Sequence, residues 1–324
     1  MADPPHRVVP AAGRRRPHRT ARLVTALVAV LVTATGCAAS GSDGPTVRLT
    51  QFPWSAAKVT NAILAEVVAG HPELGVGELK TIQVGPATAW AGAQRGDVDA
   101  LTEVAMPNQS ELAAKAEDRV GLVHPTYDGA EQGWYVPSYA LEPGGPLAGL
   151  TSVSQLNDYA DALGNRLVDS DPSFLTTEYN TKRLAGYGLN LEQVTSSEAA
   201  QIAELRRAYE RRQPILVYLY RPHYVFEEME LTRLSEPNPP RDDCYTTGDG
   251  ACAMPDYSAW TAAAGDLGAT APRFDALLRR FELPLDDVEK MLKRVDVDNA
   301  DVETVARDYV AANPDRVREW VGTP

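Results

Sequence analysis

Between Thr46 and Glu117 the chain alternates strand-like and helix-like segments, and this alternation limits the possible folds more than any other feature. TVRLTQ, residues 46–51, alternates with the period of a strand. From Ser55 to Ala69 apolar residues return at helical spacing (Ala56, Val59, Ile63, Val67), with Ser55 as the N-cap. Leu79–Val84 reads as a second strand, Ala87–Arg95 as a helix ended by Gly96, Val98–Val104 as a third strand, and Gln109–Glu117 as a third helix. Strands linked in this way form a parallel sheet with helical crossovers. The middle of the chain repeats the pattern. Gln132–Ala140 is extended, Ser154–Leu163 a helix capped by Ser154, and Arg166–Asp169 a short strand. Thr176–Tyr187 is a helix closed by Gly188, Ser197–Arg212 an amphipathic helix, and Ile215–Tyr220 a buried strand. Pro237–Pro255 is a long turn-rich loop. The last quarter predicts helices over Tyr257–Ala264, Ala271–Arg280, Leu285–Val295 and Asp301–Asn313, then one more ending at Trp320. A length of 324 residues allows two lobes, each with its own core.

The first 36 residues serve a different purpose. An Arg- and Pro-rich stretch to Arg22 precedes an uncharged apolar run, Leu23–Gly36, which is the layout of a secretion signal. The run is too short to span a bilayer, which takes about 20 residues. Ala34-Thr35-Gly36-Cys37 resembles the lipobox of bacterial lipoproteins, although Leu is commoner where Ala34 stands. The resemblance implies cleavage before Cys37, acylation there, and a mature protein anchored by lipid on the extracytoplasmic face of the cell membrane. Residues 1–36 are then a signal peptide and 37–45 a polar tether; a secreted protein with a free cysteine is the competing reading. Net charge is −13, and six arginines against one aspartate in residues 1–36 leave −18 (−13 − 5) for the remainder. A surface this acidic repels phosphate backbones and argues against nucleic acid as a partner.

Cys244 and Cys252 lie eight apart in PNPPRDDCYTTGDGAC, where a disulfide can form in an oxidising compartment. Zinc is the competing reading, but none of His71, His124 and His223 stands at ligand spacing from them. No metal or cofactor site is predicted. The chain has no Gly-x-Ser-x-Gly, no His-Glu-x-x-His and no phosphate-binding glycine loop. The aspartates of GDVD (97, 99) and Asp169 and Asp171 read as turn or loop residues. The chain is therefore predicted not to be an enzyme.

Three segments, in order, carry a family resemblance: GPATAWAGAQRGDVDALTEVAMPNQ (85–109), GAEQGWYVPSYALE (129–142) and PILVYLYRPHYVFEEMELTRLSEP (214–237). Together they resemble the glycine betaine/choline/proline-betaine binding proteins of osmoprotectant ABC importers. The resemblance implies an α/β, two-lobed type II periplasmic-binding-protein fold. Each lobe would be a mostly parallel sheet flanked by helices, with the ligand in the cleft between lobes. Lobe one would comprise 46–133 and 246–324, and lobe two 134–245. The implied partners are a small quaternary amine, an ABC permease and its ATPase, with the chain acting as a monomer.

A quaternary ammonium has no N–H to donate, so a cage of aromatic faces must recognise it. Where the family commonly has Trp in a Trp-x-Pro motif, this chain has Ala105 of Ala105-Met106-Pro107 and Tyr220 of Tyr220-Arg221-Pro222-His223. Phe174 matches a third cage aromatic. The amides of Leu175 and Thr176 match donors to a ligand carboxylate, and Gln109 matches a polar contact. Trp54, Trp90 and Trp134 are candidates to replace the wall lost at Ala105, and His223 is a further candidate. For each aromatic the competing reading is a core residue. Ala105 also leaves room for a bulkier or different solute, delivered to a transporter or sensed by a receptor.

Overall fold

The computed structural model describes residues 44–322. The expected signal peptide, Cys37 and most of the expected tether lie outside them. The chain starts with β1 (Thr46–Gln51), α1 (Ser55–Gly70), β2 (Glu78–Gln83), α2 (Pro86–Arg95), β3 (Ala100–Met106), α3 (Ser110–Ala116) and β4 (Val120–Ala130). A second series follows: β5 (Gln132–Pro137), β6 (Arg166–Asp169), α4 (Leu175–Gly186), β7 (Glu192–Thr195), α5 (Glu198–Glu210), β8 (Val217–Tyr220), α6 (Val225–Glu228) and β9 (Leu231–Arg233). The chain then returns through β10 (Tyr257–Ala264) to α7 (Leu267–Thr270), α8 (Pro272–Leu278), α9 (Leu285–Asp296), α10 (Val302–Ala312) and α11 (Pro314–Val321).

Two five-stranded sheets result, ordered β2-β1-β3-β10-β4 and β7-β6-β8-β5-β9. Both are mixed rather than mostly parallel. In the first, β1 pairs parallel with β2 and β3, while β10 runs antiparallel to β3 and β4. In the second, β6 pairs parallel with β7 and β8, while β5 runs antiparallel to β8 and β9. The antiparallel pairings fall where the chain passes between sheets. Glu131 alone separates β4 from β5, too short a link for a helical crossover back into the same sheet.

The helices form for local reasons and are held by packing. Val59, Ile63, Leu64 and Val67 of α1 are buried against the first sheet. The Ser197 hydroxyl caps α5 through the N–H of Ala200, and Asp301 caps α10 through Thr304. The expected helix at Ser154–Leu163 is a 3-10 segment, Val153–Tyr159, capped two residues earlier by Ser152 in a capping box with Gln155.

Tyr257–Ala264, expected to be helical, is the strand β10. Alanine is the best helix former, and this segment has four. Here it lies between β3 and β4 with backbone partners on both edges, and its small side chains fit the space between buried layers. Tertiary pairing overrides the local preference. Strands β4, β7 and β9 were not anticipated. Cys244 and Cys252 form a disulfide, with Cα atoms 6.5 Å apart. The loop that carries it packs on α4: Tyr245 stacks on Tyr179 at 4.6 Å, and Lys182 Nζ donates to the Tyr245 carbonyl.

Candidate ligand-binding site

Between the two sheets lies a cavity of about 50 Å³, several times the space one water needs. Both halves contribute to its wall. The first gives Trp54 after β1, Glu103 and Ala105 on β3, Gln109 before α3, Tyr127 on β4 and Tyr257 at the start of β10. The second gives Gln132 on β5, Phe174, Leu175 and Thr176 at the start of α4, and Tyr218 and Tyr220 on β8. Asn108 and Pro86 complete the lining.

Six aromatic rings therefore surround one small space. Trp54 stacks on Phe52 at 4.5 Å and meets Phe174 edge-on at 5.1 Å, so an aromatic contact joins the halves. Phe174 stands 6.3 Å from Tyr220, and Tyr220 6.3 Å from Tyr218. The four tyrosine hydroxyls all have protein acceptors. Tyr218 donates to Gln132 Oε1 (3.0 Å), Tyr220 to Glu198 Oε2 (2.9 Å), Tyr257 to the Arg221 carbonyl (2.7 Å) and Tyr127 to Glu103 Oε2 (2.5 Å). The rings are then the surfaces left for a ligand. Leu175 and Thr176 are the first residues of α4, where backbone N–H groups have no intrahelical acceptor and attract negative charge.

Six of the expected site residues line the cavity: Trp54, Gln109, Phe174, Leu175, Thr176 and Tyr220. Three do not. Trp90 is buried behind the wall, where its Nε1 donates to Gln109 Oε1 at 2.8 Å and fixes that amide. Trp134 faces away on β5, donating to Asn180 Oδ1 at 2.8 Å under the Arg183 guanidinium. His223 is buried one layer back. Its Nδ1 accepts from the N–H of Val225 (3.3 Å), which leaves the ring proton on Nε2, 3.4 Å from Glu198 Oε1. Ala105 lines the cavity without an aromatic face. The rings that the sequence did not reveal are Tyr127, Tyr218 and Tyr257. Period-two alternation in β10, with Tyr257 and Ala259 buried and Ser258 and Trp260 less so, was the available signal for the last.

Glu198, on α5, is the hinge of a polar clasp. It accepts from the Tyr220 hydroxyl and, at 3.3 Å, from the Ser55 N–H at the start of α1. Helix α1 has no cap of its own, so a carboxylate from the other half meets its positive end. Ser55 Oγ continues to Asp296 at 3.1 Å. Burial pushes the Glu198 carboxyl up, but the donors of His223, Tyr220 and Ser55 outweigh it and hold it below the ordinary range. Asn108 and Gln132 form a second tie across the halves, with amide contacts of 2.9 and 3.0 Å.

Glu103 is the unanticipated member. The β3–β10 register shifts between Trp260 and Ala262, so Leu101 and Val104, three apart, share one hydrophobic cluster. The inserted residue bulges, and Glu103 has φ 60°. A left-handed non-glycine residue costs about 1–3 kcal/mol and is found at functional sites. Thr60 donates to Oε1 at 2.6 Å and Tyr127 to Oε2. Burial raises this carboxyl's pKa, against the donors of Thr60, Tyr127 and Trp54.

With the cleft described, comparison with known proteins decides the family. Residues 45–312 match the family described as the substrate binding domain of the ABC-type glycine betaine transport system. The chain belongs to that family. Its members are solute-binding proteins of ABC transporters. The glycine betaine/carnitine transport binding protein GbuC of Listeria monocytogenes is 26% identical over 131 residues, 40% of this chain and 39% of that protein. An ABC-transporter choline binding protein in complex with choline superimposes with a TM-score of 0.72 at 19% identity, covering 85% of this chain and 91% of that one. Lactococcal OpuAC, closed and complexed with glycine betaine, gives 0.72 at 20% identity over 86% of this chain and all of that one. The two mixed sheets flanked by helices are thus the type II periplasmic-binding-protein fold. Among the described residues no helix is long and apolar enough to cross a membrane, and no group of three His, Cys, Asp or Glu could hold a metal ion.

Proposed function

We propose that this chain is the extracytoplasmic solute-binding lipoprotein of an ABC importer. It captures a quaternary amine such as glycine betaine or choline between its two halves and delivers it to the permease. The two sheets act as the lobes, and Cys37 carries the anchor. The observation behind this reading is the cavity itself: six aromatic rings around a space of about 50 Å³, with each of the four tyrosine hydroxyls already held by a protein acceptor. Aromatic faces bind a quaternary ammonium at roughly 0.5–2 kcal/mol each. The site-forming residues Tyr220, Phe174, Trp54, Gln109, Leu175 and Thr176 divide between cage and polar end.

The test is calorimetric titration of the purified protein with glycine betaine, proline betaine, choline, carnitine and proline. Micromolar binding of a quaternary amine is expected, weakened about 3–30-fold by Tyr220→Ala and by Phe174→Ala. Absence of binding across the panel would remove the quaternary-amine assignment.

Glu198→Gln tests the clasp. It removes the charge at the start of α1, worth about 0.5–2 kcal/mol, and affinity should fall roughly 2–30-fold. Because the folded carboxyl lies below its ordinary value of 4.5, the clasp contributes fully above that pH and is lost on acidification through the lower folded value. Unchanged affinity in the Gln variant would make Glu198 a support for Tyr220 alone.

A further inference from the structure

The cavity wall holds one carboxyl and no cationic side chain. Among the described residues, none of those lining the space is Lys, Arg or His, and Glu103 is the only acidic one. Its side chain is buried, with the residue 1% exposed. Among the described residues no ion pair involves it; its partners are hydroxyls and the Trp54 side chain. An isolated carboxylate in such a place is costly unless a cation meets it. The protein has nevertheless built the position on purpose-made backbone, a bulge with positive φ that aims the side chain at the aromatic cage.

Counting charge separates the solutes this cage could hold. With a monocation, the solute and Glu103 sum to zero. With a zwitterion the sum is −1, and the solute's own carboxylate shares the cavity with Glu103. Like charges in one water-poor space repel. The start of α4 attracts a solute carboxylate and so works the other way, but its N–H groups carry partial charges, whereas Glu103 brings a full one.

We propose that Glu103 is the counter-charge of the bound solute, and that the site selects a quaternary ammonium whose other end is neutral over a zwitterion. This rests on the quaternary-amine reading of the cavity and narrows it to one charge class.

Titrations with choline, glycine betaine and 3,3-dimethyl-1-butanol, the uncharged isostere of choline, test it on the native chain and on Glu103→Gln. The native chain should bind choline at least tenfold tighter than either of the other two. In Glu103→Gln, choline should lose at least tenfold and glycine betaine little or nothing, so that the preference collapses. Glu103→Asp, which keeps the charge, should retain the preference for choline at reduced affinity. If Glu103→Gln fails to fold, choline against its isostere and against glycine betaine on the native chain still decides. A native preference for glycine betaine, or an equal loss of both ligands in Glu103→Gln, overturns the proposal and leaves the quaternary-amine reading standing. Binding of none of them, nor of any other quaternary amine, overturns both.

Discussion

Replacing Glu236 with Ala should lower the free energy of unfolding by about 3–5 kcal/mol. Glu236 pairs with Arg183, whose side chain is fully buried on α4. The guanidinium lies over the Trp134 ring, 4.0 Å from its centroid, and donates to Asn180 Oδ1 at 2.9 Å. Burial pulls its pKa down to about 10 with the partner in place, and a guanidinium resists deprotonation, so the group stays charged when its partner is removed. The variant then holds an unpaired cation where water does not reach, and that penalty exceeds what the pair itself contributed. Most domains have only about 5–15 kcal/mol of stability in total, so the loss should be plain in urea denaturation as a lower midpoint with an unchanged slope. The double replacement Arg183→Met with Glu236→Leu removes both charges and should recover most of the loss. A fall below 1 kcal/mol for Glu236→Ala would show that solvent reaches the guanidinium.

The order of strands and helices was legible wherever local period and burial agree. Arg166–Asp169 reads as a strand with the bounds the structure gives, because its short apolar pair, Leu167 and Val168, is buried in the sheet between β7 and β8. Reading failed where long-range pairing decides. YSAWTAAA has the composition of a helix and becomes a strand because two other strands already flank its slot. That error hid Tyr257, and β4 hid Tyr127 for the same reason. The aromatic cage was therefore only half visible: Trp54, Phe174 and Tyr220 stand next to turns that the sequence marks, while Tyr127 and Tyr218 sit within strands and Tyr257 opens a strand that reads as a helix. Trp90 and Trp134 had the right residue type, but their N–H groups satisfy Gln109 and Asn180 instead of facing the space. Glu103 had no signal at all. Its direction depends on a bulge set by the β10 register, and Asp97 and Asp99 nearby attracted attention only because aspartate is conspicuous in a turn. Asp99 in fact holds Arg48 through contacts of 2.6 and 2.9 Å at the far end of the strand.

Removing the Trp54 indole should cost more binding free energy than any other single change in the cage, about 2–4 kcal/mol, or roughly 30- to 1,000-fold in affinity. Trp54 has three roles. Its face borders the cavity, its edge meets Phe174 from the other half, and its backbone is the N-cap of α1, one residue before the N–H that Glu198 accepts. Trp54→Ala therefore opens the cage and weakens the contact that holds the halves together around the solute, and a ligand that favours the closed arrangement loses on both counts. The cost should fall on binding more than on folding. Phe52, on which the indole stacks, belongs to a buried cluster that Trp54 only flanks, and Trp54 itself is partly buried. Calorimetry of Trp54→Ala beside Trp54→Phe separates the roles, since Phe keeps a ring in the wall and should lose less than tenfold. If the Ala variant loses under threefold, the ammonium group sits against Tyr127, Tyr218 and Tyr257 instead, and the contact with Phe174 is packing alone.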